Sequence, residues 1–160
     1  MSLPDVIARP LIAGMFIYGG LEAARRPDPK AGAADRITGP ITEATGITAE
    51  QLVRANGIAQ VAAGSALALG IFPRPAAVVL AATLVPTTIA GHRFWEQDDA
   101  AARRMQTIQF LKNTAMLGGL LLAAASHGGR PSLPWRARRA VHKVVEGSAG
   151  RLGELPLVRS

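Results

Sequence analysis

The amino-acid sequence predicts an all-α membrane protein, a bundle of four transmembrane helices followed by a basic C-terminal tail. Three observations carry that expectation. Four apolar runs, residues 6–24, 52–71, 75–95 and 107–126, each approach the roughly 20 residues that a helix needs to cross a bilayer. The charges are segregated from these runs and crowd into residues 25–51, 93–106 and 130–159, whereas a soluble bundle would spread polar residues along every helix. The averages hide this pattern: 49% hydrophobic residues and a mean hydropathy of +0.21 would suit an ordinary soluble domain. Finally, the 160 residues include no cysteine, which excludes a disulfide, a thiolate nucleophile, a Cys-ligated zinc or an iron–sulfur cluster built from this chain.

The first span opens on Arg9 and Pro10, a place where proline is tolerated because the first helical turn has no acceptor for its missing N–H. MSLPDVIARP carries no basic stretch before the apolar run, so it is expected to be a retained span rather than a cleaved signal peptide. Gly14, Gly19 and Gly20 give this helix a thin face. Residues 25–51, rich in Pro, Gly and Thr, are expected to be a loop outside the membrane with at most one short surface helix. Thr48 and Gln51 stand at capping-box spacing, which marks the start of the second span. That span carries Gly57, Ala59, Ala63, Gly64, Ser65 and Gly70, small residues that let helix backbones approach closely in lipid. Phe72, Pro73, Arg74 and Pro75 leave room only for a tight turn, so the second and third spans are antiparallel neighbours. Pro86 interrupts the bonding of the third span and predicts a kink there, with Thr87 and Thr88 placed to satisfy what it frees. Gly128, Gly129, Pro131 and Pro134 stop the fourth.

Residues 1–131 thus form the transmembrane domain and 132–160 a basic cytoplasmic tail. The net charge of +7 resides largely in that tail: from Ser126 onward seven basic residues face only Glu146 and Glu154. A basic segment beside a membrane is a partner for anionic headgroups rather than for nucleic acid. Trp135, Arg136, Arg138, Arg139 and Lys143 are the lipid-contact candidates there, with Arg9 at the opening of the first span snorkelling to the same headgroups. Trp135 to Leu152 reads equally as an amphipathic helix lying on the membrane or as an unstructured basic tail, because Gly147 and Gly150 each weaken a helix by about 1 kcal/mol. With four spans the termini share one side. That side has eight basic residues outside the spans against six on the other, which places both termini in the cytoplasm of a cell whose inner membrane holds the protein. Fifteen arginines against three lysines, with abundant Ala and Gly, hint at a GC-rich bacterial genome.

Orientation also gathers the polar residues of the spans. Glu22, Asn56, Gln60, His92, Arg93, Gln109, Lys112 and Asn113 all fall toward the face opposite the termini. Gln60 and Asn113 lie roughly 10 Å inside the slab by helical rise. Lys112 needs an acid at that depth, and Glu22 is the span acid expected to meet it. Asn56, Gln60, His92, Gln109 and Asn113 would complete either a polar pocket open to the extracytoplasmic side or a set of hydrogen bonds that fix helix register. His92 and His127 belong to opposite faces and His142 to the tail, which argues against a bis-histidine haem. No phosphate loop, HExxH or nucleophile elbow is present.

The segments ARPLIAGMFIYGG (8–20), AQVAAGSALALGIFPRPAA (59–77), AGHRFWE (90–96) and QFLKNTAMLGGLL (109–121) together resemble the DoxX-like family of small bacterial membrane proteins over residues 5–131. The resemblance implies a four-helix membrane bundle associated with redox metabolism. Relatives are described as membrane components of oxidoreductase complexes, with links to a superoxide dismutase and a thiosulfate sulfurtransferase, and the family name is shared with a small subunit of thiosulfate:quinone oxidoreductase. Gln60 stands where many relatives carry an acid. On this basis the expected role is a non-catalytic membrane subunit or anchor of a redox assembly, with lipids, soluble oxidoreductases and further copies of itself as partners and no intrinsic cofactor. The alternative is a quinone, lipid or polar solute bound or transported through the polar pocket.

Overall fold

The computed structural model describes residues 3–125, with side chains from Val6 onward; the tail candidates Trp135, Arg136, Arg138, Arg139 and Lys143 lie outside the described residues. Five α-helices and one 3-10 turn make up this part: α1 Leu3–Arg25, α2 Asp28–Thr45, α3 Ala49–Leu69, α4 Pro73–Gly91, the turn Phe94–Glu96 and α5 Ala100–Ala125. Among the described residues there is no strand. Four of the helices, α1, α3, α4 and α5, are long and apolar enough to cross a membrane. They match the four runs in the sequence, with α1 and α3 each beginning three residues before their runs, α4 two and α5 seven.

Local chemistry sets the helix ends. Thr48 and Gln51 form the expected capping box: the Thr48 hydroxyl accepts from the Gln51 N–H at 3.2 Å and the Thr48 N–H donates to Gln51 Oε1 at 2.9 Å. At its other end α3 closes on Gly70 in the left-handed region at φ 71°, where the Gly70 and Ile71 N–H groups donate to the Leu67 and Ala66 carbonyls. Phe72 also has positive φ, 45°, a strained conformation for a residue with a Cβ, and it launches α4 directly at Pro73. The Asp99 carboxylate accepts from the Ala102 N–H at 2.7 Å and so caps the start of α5. At its finish, Arg74 Nε donates to the Ala124 carbonyl at 2.9 Å, a cation placed where the helix dipole favours it.

Pro10 sits differently from the sequence expectation, and the threonines beside Pro86 bond differently. Because α1 begins at Leu3, Pro10 lies two turns inside the helix rather than in its first turn, so the Val6 carbonyl loses its usual partner. In α4 the helix runs on through Pro86. The Thr87 and Thr88 hydroxyls donate to the carbonyls of Thr83 and Leu84, each at 2.8 Å, and not to the Ala82 carbonyl that the proline frees.

The larger correction is α2. Residues 28–45 form an 18-residue helix rather than a loop with one short helix. Gly32, Gly39 and Pro40 made it look broken, but Pro29 lies in the first turn, where it costs nothing, and Gly46 at φ 73° ends it cleanly. It packs on α3 and α4, with Arg36 Nη1 bonded to Glu96 Oε2 at 2.9 Å just past the end of α4. The helix therefore lies across the end of the bundle reached by the C-termini of α1 and α4.

The spans pack in the order α1, α3, α4, α5, with the most extensive contact between α1 and α3. There the backbones nearly touch. A Cβ built on Gly20 would lie 2.7 Å from the Gly57 carbonyl oxygen, and one on Gly57 would lie 2.6 Å from that of Gly20. Two turns away, Gly64 faces Ile17 and the Ala13 carbonyl, so pairs spaced by seven on both helices make one antiparallel seam. Gly14 and Gly19 have open space instead, and only Gly20 of the three supplies the thin face. The core beside this seam is made of Ala13, Phe16, Leu67, Ala76, Ala77, Leu80, Leu84 and Leu120. Large apolar side chains point outward: Leu11, Tyr18 and Leu122 are each about three-quarters exposed. A seam of small residues between helices, with large apolar side chains also facing outward, is the arrangement expected where lipid, not water, surrounds the bundle.

Gly57→Leu should therefore destabilise the bundle by about 3 kcal/mol or prevent its assembly, whereas Gly14→Ala should leave the thermal midpoint in detergent nearly unchanged; equal behaviour of the two would contradict the seam. Thr48→Ala should cost about 1 kcal/mol, read as a modest fall in the same midpoint.

Candidate functional site

Among the described residues, α4 and the segment just beyond it carry polar bonds to both α3 and α5. Thr83, Thr87 and Thr88 lie along α4, each donating its hydroxyl hydrogen to a carbonyl one turn back and keeping its oxygen as an acceptor. On the α3 side, Thr87 Oγ1 accepts from Asn56 Nδ2 at 3.1 Å and from Gln60 Nε2 at 3.5 Å. On the α5 side, Thr88 Oγ1 accepts from Asn113 Nδ2 at 3.1 Å, and both residues are buried. One turn farther, at the end of α4, His92 Nδ1 meets Gln106 Oε1 of α5 at 2.9 Å. The result is a polar ladder with α4 as its rail. Each such bond is worth roughly 0.6–2 kcal/mol in a membrane, and together they hold α3, α4 and α5 in register.

The ladder ends in an aromatic and ionic corner. Phe94 and Trp95 of the 3-10 turn and Phe110 of α5 pack edge to face in all three pairings, with centroids 5.1 to 6.1 Å apart. Beside them Glu96 is held by Arg93 at 2.8 Å and by Arg36 of α2 at 2.9 Å. Arg103 grips the Gln97 carbonyl with Nε at 3.0 Å and Nη2 at 2.7 Å. A half-exposed Trp95 in such a cluster suits the headgroup boundary, where an aromatic ring has both apolar and wet surroundings.

The structure thus separates the candidate residues. Asn56, Gln60, His92 and Asn113 join the ladder. Glu22 does not meet Lys112; it pairs with Lys30 of α2 at 3.1 Å, and both side chains are largely exposed. The chain turns back at Pro27, which brings Lys30 to Glu22 far sooner than a residue on α5 could reach it. Lys112 and Gln109 are half-buried and make no hydrogen bond or ion pair among the described residues. Arg9 is buried at 8% exposure, not extended to solvent. Sequence reasoning missed Thr83 and Gln106, and it read Thr87 and Thr88 only as helpers of Pro86. The 83/87 spacing, four apart on one face of α4, was the available signal.

Chemically, this is a set of amides that each donate one N–H to a threonine oxygen, with His92 and Gln106 beside them. Among the described residues no group of three or more His, Asp or Glu side chains could hold a metal ion.

Compared with known proteins, residues 5–93, from α1 to just past the end of α4, match the DoxX family. The match stops short of α5, so the QFLKN and GG elements of the fourth span lie beyond it. No curated protein and no solved structure matches the chain. The matched residues are more than half of the sequence and contain three of the four spans, with the capping box, the small-residue seam and the threonines of the ladder. The protein is a multi-pass, lipid-embedded membrane protein, and it belongs to the DoxX family.

Proposed function

We propose that the protein is a non-catalytic membrane subunit, an anchor for an oxidoreductase-associated assembly in a bacterial inner membrane, with both termini in the cytoplasm. The observation that carries this reading is the fate of the buried polar groups. Gln60 and Asn113, with the half-buried Asn56 beside them, each give an amide N–H to a threonine of α4, which is what a scaffold needs. A pocket for a quinone or polar solute built from Glu22, Gln60, His92, Lys112 and Asn113 would require those groups to face one opening, and Glu22 is committed to Lys30 outside the bundle. The redox link rests on the family resemblance: a chain without cysteine leaves sulfur chemistry and electron transfer to a soluble partner such as a sulfurtransferase or a superoxide dismutase.

Tagged protein taken from native membranes in mild detergent should carry a soluble oxidoreductase in stoichiometric amount, identified by mass spectrometry. Deleting residues 132–160 should abolish that recovery without changing the thermal midpoint of the bundle. A protein recovered alone, or with only a small molecule, would overturn the anchor. Sidedness has its own check: Glu43→Cys on the exposed face of α2 creates the chain's one thiol, and a membrane-impermeant maleimide should label it from outside intact spheroplasts.

A further inference from the structure

Two cations of α5 lie close together along one helix without a partner. Arg104 and Lys112 make no hydrogen bond or ion pair among the described residues. Arg36 and Arg93 are engaged on Glu96 and Arg103 on Gln97, whereas Arg25 and Arg26 at the end of α1 also make no side-chain bond among the described residues but lie on a different helix. The two free cations also share a side of the helix. Ala101, Met105, Ile108 and Lys112 are spaced four, three and four apart, so they form one stripe, and Arg104 borders it. A surface depression opens on this stripe, lined by Ala101, Arg104, Met105 and Ile108, with Met105 and Ile108 both well exposed.

Depth gives the stripe its meaning. Phe110, packed against Trp95, marks the headgroup boundary on α5. By helical rise Arg104 lies about 9 Å toward the headgroups from that level and Lys112 about 3 Å deeper. The Cα–Cβ bond of a helical residue leans toward the N-terminus, which here is the headgroup end, so Lys112 reaches back along the stripe toward Arg104. A lysine at this depth is costly without an anion to meet it.

We propose that this face of α5 binds one anionic phospholipid, its phosphate held at Arg104, its polar backbone region met by Lys112, and an acyl chain laid along Ile108 and Leu111. Charge selects this occupant over a second copy of the chain. A two-fold dimer formed through this face about an axis normal to the membrane would set Arg104 and Lys112 against their own counterparts, whereas an anionic headgroup neutralises both.

The test uses full-length protein in nanodiscs of phosphatidylcholine containing phosphatidylglycerol, with native mass spectrometry of the lipids that stay bound. Wild type should retain one phosphatidylglycerol in preference to phosphatidylcholine by about tenfold or more. Arg104→Gln with Lys112→Met should lose that preference, and Arg104→Gln alone, at an exposed position that the fold does not need, should weaken it. Lys112→Arg should keep it. Arg25→Gln with Arg26→Gln removes the same charge from the same end of the bundle and should leave the preference intact. Overturning results are no preference in wild type, an undiminished preference in the Arg104 and Lys112 variant, or an equal loss in the Arg25 and Arg26 variant, which would make the effect one of general surface charge. A dimer that holds no lipid and dissociates on loss of Arg104 and Lys112 would also overturn it, and would assign the face to a second copy.

Discussion

The contact between Gly20 and Gly57 is the constraint from which the rest of the bundle follows. Lipid offers no hydrophobic drive to press one apolar helix on another, so association must come from close packing and polar bonds. Two backbones can come this near only where both helices lack side chains at the same level, and Gly64 opposite Ala13 repeats the condition two turns away. That repetition fixes register as well as distance, because a slide by one turn would drive Ile17 or Val61 into the space that glycine leaves. With α1 locked to α3, the polar amides of α3 are aimed at α4, and α4 in turn is positioned to bond α5.

The ladder on α4 shows how a membrane helix can carry polar side chains with their hydroxyl hydrogens already bonded. Each threonine satisfies its own hydrogen within the helix and offers only an acceptor outward, so its partners must be donors, and amides are what α3 and α5 supply. A carboxylate in place of Gln60 could not donate to Thr87 while ionised. A glutamine there keeps the donor that cohesion with α4 requires.

What could be read from the sequence follows from the range of the interactions involved. Hydropathy located the spans because the bilayer imposes a length, and the capping box at Thr48 and Gln51 was legible because its partners lie three residues apart. Helix α2 was not, since a helix lying on the end of a bundle needs no apolar run: Ala34 is its one buried hydrophobic residue, and its glycines and prolines outweighed packing that no local pattern reveals. In the candidate site, the depth of Gln60 and Asn113 pointed correctly to interior positions. Their partners escaped because threonine in a helix usually bonds its own backbone, and here it does that and something further. The pairing of Glu22 failed for the opposite reason: a competitor eight residues along the chain was nearer than the cation on another helix.

The connections at the two ends of the bundle are unequal. Where α3 passes to α4 there are three residues, Gly70 to Phe72, while the opposite end holds α2, the Phe94–Glu96 turn and the Gln97–Asp99 link to α5. Among the described residues, almost all the protein outside the hydrocarbon slab therefore belongs to a single side. That side, among the described residues, presents a helix, ion pairs and arginines to a soluble molecule, and the other presents the Gly70–Phe72 turn.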